Sequence, residues 1–167
     1  MKYLCSLLTP LLSLTAQAAE PPKTIIVVRH ADKLSQDPES LLSPKGHERA
    51  KELARALRDV KIQTIFVSEK QRTQQTAAPR AAQKNLQPIK VETTQAPQLL
   101  EKLKAVPQGQ TALVIYHVPI VEQIVLKLGG VTVPAWQETE FDRLIIITIP
   151  AQGRPSVVTL RYGAPSS

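Results

Sequence analysis

The chain of 167 residues is short of the residue types that mark specialised classes of protein. Its only cysteine is Cys5, so no intrachain disulfide can staple the fold and no cysteine-based metal site can form. Six glycines and the lack of any repeat exclude collagen-like and low-complexity architectures. Aromatic residues make up 4% of the chain, too few to interleave with lysine and arginine as a base-stacking surface. The first apolar run, Tyr3 to Leu14, holds 12 residues, whereas a helix needs roughly 20 to cross a bilayer. What is present is a 43% hydrophobic content and a formal charge of +7. That charge first suggests a nucleic-acid or membrane-surface protein, a suggestion to be tested against where the charges sit.

Residues 1–18 read as a signal peptide rather than as part of the fold. Lys2 is a short positive start, the apolar run follows, and Ala16-Gln17-Ala18 is an A-x-A cleavage pattern. The expected cleavage, before Ala19, leaves 149 residues as a single domain over 19–167, without cysteine or membrane anchor. Only Lys2 is lost among charged residues, so the charge becomes +6. Such a protein is expected to be periplasmic or secreted. Held by its core alone, a chain of about 150 residues can bury roughly two-thirds of its unfolded surface.

Strand and helix patterns alternate along the mature chain, which predicts a layered α/β domain. Thr24 to Val28 is a continuous β-branched run, as expected of a strand covered on both faces. A polar loop over 32–40 precedes Ser43-Pro44, an N-cap followed by proline at the first helical position. Ala50, Leu53, Ala54 and Leu57 then recur at helical spacing, with Lys51, Glu52, Arg55 and Arg58 on the opposite side. His47 on this helix is expected to face solvent. Further strands are predicted at 64–67, 89–91 and 112–116, and helices at 73–83, 96–103 and 120–128, the last stopped by Gly129-Gly130. Leu144 to Ile149 and Val157 to Leu160, joined through Pro150 and Gly153, read as an antiparallel hairpin at the edge of the sheet. The expected fold is a three-layer αβα sandwich around a mostly parallel sheet.

The reactive side chains fall where such a sheet binds ligands. Arg29-His30 closes the first strand, Arg72 follows the second, and His117 closes the strand beginning at Ala112. In open parallel sheets ligands sit beyond the carboxyl ends of the strands, so these four groups should converge. Guanidinium groups pair with phosphoryl oxygens and stay charged, imidazole can act as a nucleophile, and a protonated second imidazole can stabilise the transferring group. A metal site on His30 and His117 is disfavoured, because no His-x-His or His-x-x-x-His spacing occurs.

Four ordered blocks resemble the histidine phosphatase (phosphoglycerate-mutase-like) superfamily. Val28-Arg29-His30-Ala31-Asp32-Lys33 is similar to its Arg-His-Gly signature, in the Arg-His-Ala-acid-Lys form of short bacterial members. Leu42-Ser43-Pro44-Lys45-Gly46-His47-Glu48-Arg49-Ala50 resembles its helix opening, and Ser68-Glu69-Lys70-Gln71-Arg72-Thr73-Gln74-Gln75-Thr76-Ala77 its Ser-x-x-x-Arg block. Val114-Ile115-Tyr116-His117 with Leu128-Gly129-Gly130 resembles the block of the second histidine. The resemblance implies that His30 is the phosphorylated nucleophile, that Arg29, Arg72 and His117 bind the phosphoryl group, and that neither metal nor other cofactor is needed.

Two departures stand out. Tyr116 and Val118-Pro119 flank the second histidine where the family carries smaller or polar residues, and no acid-bearing loop is evident over 92–110. Asp32, two residues beyond His30, is the first choice for the acid that protonates the leaving group, with a loop-capping or lysine-pairing carboxylate as the other reading. Glu122, Glu140 and Asp142 follow, the last two only if the strand behind them runs the right way. Trp136 is expected to cap the sheet rather than to line an entrance. The sequence thus predicts a phosphomonoester hydrolase acting on a small phosphorylated substrate or a phosphopeptide, without nucleic-acid partner. The alternative is a phosphoryl-binding protein with impaired catalysis.

Overall fold

The computed structural model describes residues 19–166; the signal peptide expected over 1–18 lies outside the described residues. Six strands and four helices alternate as expected. β1 (Lys23–Arg29) is followed by α1 (Pro44–Ala56), β2 (Thr64–Val67), α2 (Gln71–Lys84) and β3 (Ile89–Lys90). α3 (Ala96–Lys104), β4 (Thr111–Tyr116), α4 (Val118–Ile124), β5 (Arg143–Ile149) and β6 (Ser156–Arg161) complete the order. The strands form one sheet, β3-β2-β4-β1-β5-β6. β3, β2, β4 and β1 are parallel, while β5 and β6 add an antiparallel hairpin at one side.

β1 shows why the chain folds in three layers. Its side chains alternate between faces, so Ile25 and Val27 join Leu99, Leu103, Val121 and Ile124 under α3 and α4. Ile26 and Val28 join Leu53, Leu57, Ala77 and Ala81 under α1 and α2. All four strand residues are at most 2% exposed, which is why the run reads as unbroken hydrophobe rather than as alternation.

α1 starts as its sequence dictates: the Ser43 hydroxyl accepts from the Gly46 amide at 3.0 Å, with proline in the first turn. Leu53 and Ala54 are buried and His47 is exposed. Gly46 is required by contact rather than by conformation, because a Cβ there would stand 2.2 Å from the Asp32 carbonyl oxygen. The helix predicted at 120–128 begins two residues earlier, since Pro119 fits a first turn where its missing N–H is not needed. Its last residues, Val125–Gly129, widen into a π turn that ends at Gly130, with φ of 70°. That turn seats Gly129 against β6, where a Cβ would lie 2.5 Å from Val157 Cγ2. Trp136 packs on the α3/α4 core with the Arg143 guanidinium 4.1 Å from its ring centre, a cap as expected.

Candidate active site

The sheet register brings the histidines together. Arg29 of β1 stands opposite Tyr116 of β4, and the His30 amide donates to the Tyr116 carbonyl at 3.0 Å. The next residue on each strand is a histidine, and the two ring centres lie 5.4 Å apart. β2 flanks β4 on its other side, so the first turn of α2 delivers Arg72 to the same place, with Nη2 3.4 Å from His117 Nδ1.

His30 is buried to 3% exposure, and its Nδ1 lies 2.8 Å from the Ala31 carbonyl oxygen. A carbonyl only accepts, so Nδ1 carries the proton and Nε2 holds the lone pair. Burial, with the charges of His117, Arg29 and Arg72 adding to it, pushes the His30 pKa down to about 3, against the smaller upward effect of the Ala31 bond. The ring is therefore a neutral base at ordinary pH. The loop behind it is held by Thr76, whose hydroxyl accepts from the Ala31 amide at 3.0 Å and donates to the Arg72 carbonyl at 2.7 Å.

Arg29 has two tasks. Its Nη1 donates to the carbonyls of Gln137, Glu138 and Glu140 at 3.2, 2.8 and 3.0 Å, and its guanidinium lies 4.2 Å from the Phe141 ring centre. Phe141 in turn stands 5.8 Å from the His30 ring. Arg72 donates to the Pro38 carbonyl, and the Glu39–Lys70 ion pair ties the same loop to α2. The Nε atoms of Arg29 and Arg72 are both buried without a partner among the described residues. Two guanidinium groups and two imidazoles gathered at one sheet edge, with the His30 ring neutral, suit a tetrahedral oxyanion. Beside Phe141 a groove of about 230 Å³ opens between Lys33–Gln36 and Glu138–Thr139, large enough for part of a leaving group.

The carboxylates are differently disposed. Asp32 is 8% exposed and accepts from Arg49 Nε at 2.6 Å, with Lys45 at 3.6 Å. This is a cation-pairing geometry, chiefly with Arg49, and it ties the loop after His30 to α1. β5 does run antiparallel to β1, so the loop carrying Glu140 and Asp142 does reach the carboxyl edge. There Glu140 is held by Arg143 and Arg161, and Asp142 by Arg161 and the Ser166 amide. Burial raises both carboxyl pKa values, but these bonds outweigh it and leave them below the ordinary range. Glu122 borders a separate groove with Pro119, Gln123 and Leu126. Tyr116 does not intrude on the phosphoryl site: it is fully buried in the α3/α4 core and its hydroxyl donates to the Val91 carbonyl at 2.6 Å. Pro119 serves the opening turn of α4. Ser68, Thr76 and Arg49 lie in the blocks quoted above but received no role there, and Phe141 was not singled out by pattern at all.

Among the described residues no group of three or more metal-ligating side chains occurs, and no helix is long and apolar enough to cross a membrane. Residues 25–96 match the family model of the histidine phosphatase superfamily (branch 1). A search of curated proteins by sequence gives no match. The fold is similar to that of the protein histidine phosphatase SixA solved with tungstate, at a TM-score of 0.67 and 21% identity, covering 83% of this chain and 96% of that one. It is also similar to an alpha-ribazole phosphatase from Shigella flexneri, with a TM-score of 0.65, 14% identity and coverage of 83% and 96%. A phosphoglycerate mutase from Plasmodium falciparum aligns at 0.60 with 20% identity, over 88% of this chain and 94% of that one.

Proposed function

We propose that this chain is a member of the histidine phosphatase superfamily, a reading supported by the match over residues 25–96, and that it hydrolyses phosphorylated substrates through a phosphohistidine on His30. The observation that carries the reading is the neutral His30 ring, with its lone pair on Nε2, at the sheet edge where His117 and Arg72 also meet. Nε2 attacks phosphorus, the bond from phosphorus to the leaving group breaks, and its electron pair departs with that group. Water then attacks the phosphohistidine, the N–P bond breaks, and inorganic phosphate leaves. Arg29, Arg72 and His117 hold the equatorial oxygens through both steps.

Asp32, Glu140 and Asp142 are all committed to arginines, so none is placed as a strong acid for a poor leaving group. We therefore favour substrates whose leaving group departs readily, an aryl oxide or a phosphorylated imidazole on a protein or peptide. The similarity to a protein histidine phosphatase supports this preference. Catalysis is favoured over binding alone because Tyr116 is turned into the α3/α4 core and Pro119 is taken up in the first turn of α4. Export through residues 1–18 is part of the proposal and is checked by the mature N-terminus: mass spectrometry should find Ala19.

The test uses the purified protein and its His30→Ala variant on p-nitrophenyl phosphate, a simple alkyl phosphate and a phosphohistidine peptide. Turnover should be lost in the variant, and quenching should trap an acid-labile phosphoryl-enzyme in the parent. The aryl phosphate and the phosphohistidine peptide should be cleaved faster than the alkyl ester. Equal background turnover in parent and variant would leave a phosphoryl-binding protein as the conclusion.

A further inference from the structure

β2 ends beside β4, and the residue that closes β2 is Ser68, fully buried under the second histidine. Its hydroxyl lies 2.9 Å from His117 Nε2 and 3.0 Å from the Thr73 hydroxyl, and it accepts from the Lys70 amide at 3.1 Å. Thr73 is likewise fully buried. Its hydroxyl donates to the Lys70 carbonyl at 2.8 Å and accepts from the Ser68 amide at 3.1 Å.

Each hydroxyl has one proton, and giving the Thr73 proton to a carbonyl, that of Lys70 at 2.8 Å in preference to that of Ser68 at 3.3 Å, fixes the direction of the other bonds. The Thr73 proton goes to Lys70, so the contact between the two hydroxyls is made by the Ser68 proton. Ser68 then has only acceptor capacity left for His117, and Nε2 must be the N–H. The other side of the ring gives the same answer independently. Arg72 Nη2 can only donate, so His117 Nδ1, 3.4 Å away, must carry the lone pair. We infer that Ser68, oriented by Thr73, is a positioning residue that fixes His117 as the Nε2–H tautomer and turns its Nδ1 toward the phosphoryl site.

The device rests on the phosphatase reading for its purpose but not for its existence. With Nε2 anchored, the atom that faces the phosphoryl group is a base beside Arg72. Arg72, Glu69, Lys70, Arg29 and His30 are the charged and titratable groups acting on it; burial and Arg72 lead in depressing its pKa to about 4, and Glu69 opposes them. A phosphoryl dianion against Nδ1 reverses that balance, so Nδ1 takes up a proton on binding and becomes a second cationic donor.

The experiment is long-range ¹H–¹⁵N correlation of the histidine rings in the purified protein at pH 7, with the His117 signals assigned by their loss in His117→Gln. The parent should show a protonated Nε2 and a lone-pair Nδ1 at His117. Addition of inorganic phosphate should move Nδ1 toward the protonated shift. Ser68→Ala should yield mixed tautomers and a kcat roughly five- to tenfold lower, the scale of one hydrogen bond, with KM changed less. Thr73→Val should do the same by freeing the Ser68 proton, and Thr73→Ser should restore parental behaviour. If Ser68→Ala does not fold, the two Thr73 variants decide. An Nδ1–H tautomer in the parent, or unchanged tautomer and kcat in the variants, overturns the inference. If the parent proves to have no phosphatase activity, the ring spectra and the phosphate titration still judge the tautomer, so failure of the two readings is distinguishable.

Discussion

At the scale of single residues, the two histidines are held neutral by burial before anything else, His30 to a pKa of about 3 and His117 to about 4. An unfolded chain binds these protons near pH 6.5. Between that value and the folded values the unfolded state therefore holds more protons, and stability must fall as pH falls. The expected outcome is a urea midpoint that declines from pH 6.5 toward pH 4, with a shallower decline in a His30→Gln, His117→Gln double variant. His30 also stays unprotonated across this range. If it is the nucleophile, the acid limb of kcat/KM should lie near pH 3 to 4 and not near 6.5. The convergence of Arg29, His30, Arg72 and His117 was legible in the sequence, because three of them close or directly follow hydrophobic runs that read as interior strands and Arg72 lies a few residues beyond a third such run. The partners of Asp32 were not legible. Nothing in the spacing of Asp32 and Arg49 says that a helix face will carry the arginine onto the carboxylate.

At the scale of elements, α1 was readable because its cap, its proline and its apolar stripe all agree, and Leu53 and Leu57 lie under it as that stripe requires. The π turn at Val125–Gly129 was not, since it answers to the approach of β6 and not to any local preference. The loop before β5 shows the same limit. Phe141 meets His30 only because β5 runs antiparallel beside β1, and hydrophobic periodicity does not encode strand direction. The joint between α1 and the nucleophile loop rests on Gly46 and on the Asp32–Arg49 pair. Arg49→Ala strands a buried carboxylate and should cost about 3 kcal/mol in chemical denaturation. Asp32→Asn should lower kcat by a similar factor for aryl and alkyl phosphates, as a positioning defect does. A loss that grows with the basicity of the leaving group would make Asp32 the acid.

For the whole molecule, the net charge of +7 is the excess that remains beside local pairs: Lys51, Arg55 and Lys104 pair with glutamates one helical turn away, and Arg49, Arg143 and Arg161 hold buried carboxylates. The cations left to attract an anion at the carboxyl edge include Arg29, Arg72 and Lys33. Because Lys33 is solvent-accessible, its pull is screened by salt. Raising KCl from about 0.01 to 0.15 M shortens the Debye length from roughly 30 to 8 Å. It should lower kcat/KM for a phosphate dianion several-fold, with kcat nearly unchanged.

The position of β1 has one more consequence, for the order in which the molecule can come into being. The strand that ends at His30 precedes both its neighbours in the chain by a long stretch, with Thr24 paired to Thr111 on one side and Thr148 on the other. β1 thus has no strand partner until β4 and β5 are available, and long loops must close before the sheet can form. The edge where His30 meets His117 cannot preassemble on a fragment that lacks β4. In a chain of this topology the pairing of the two histidines is among the later features to be built.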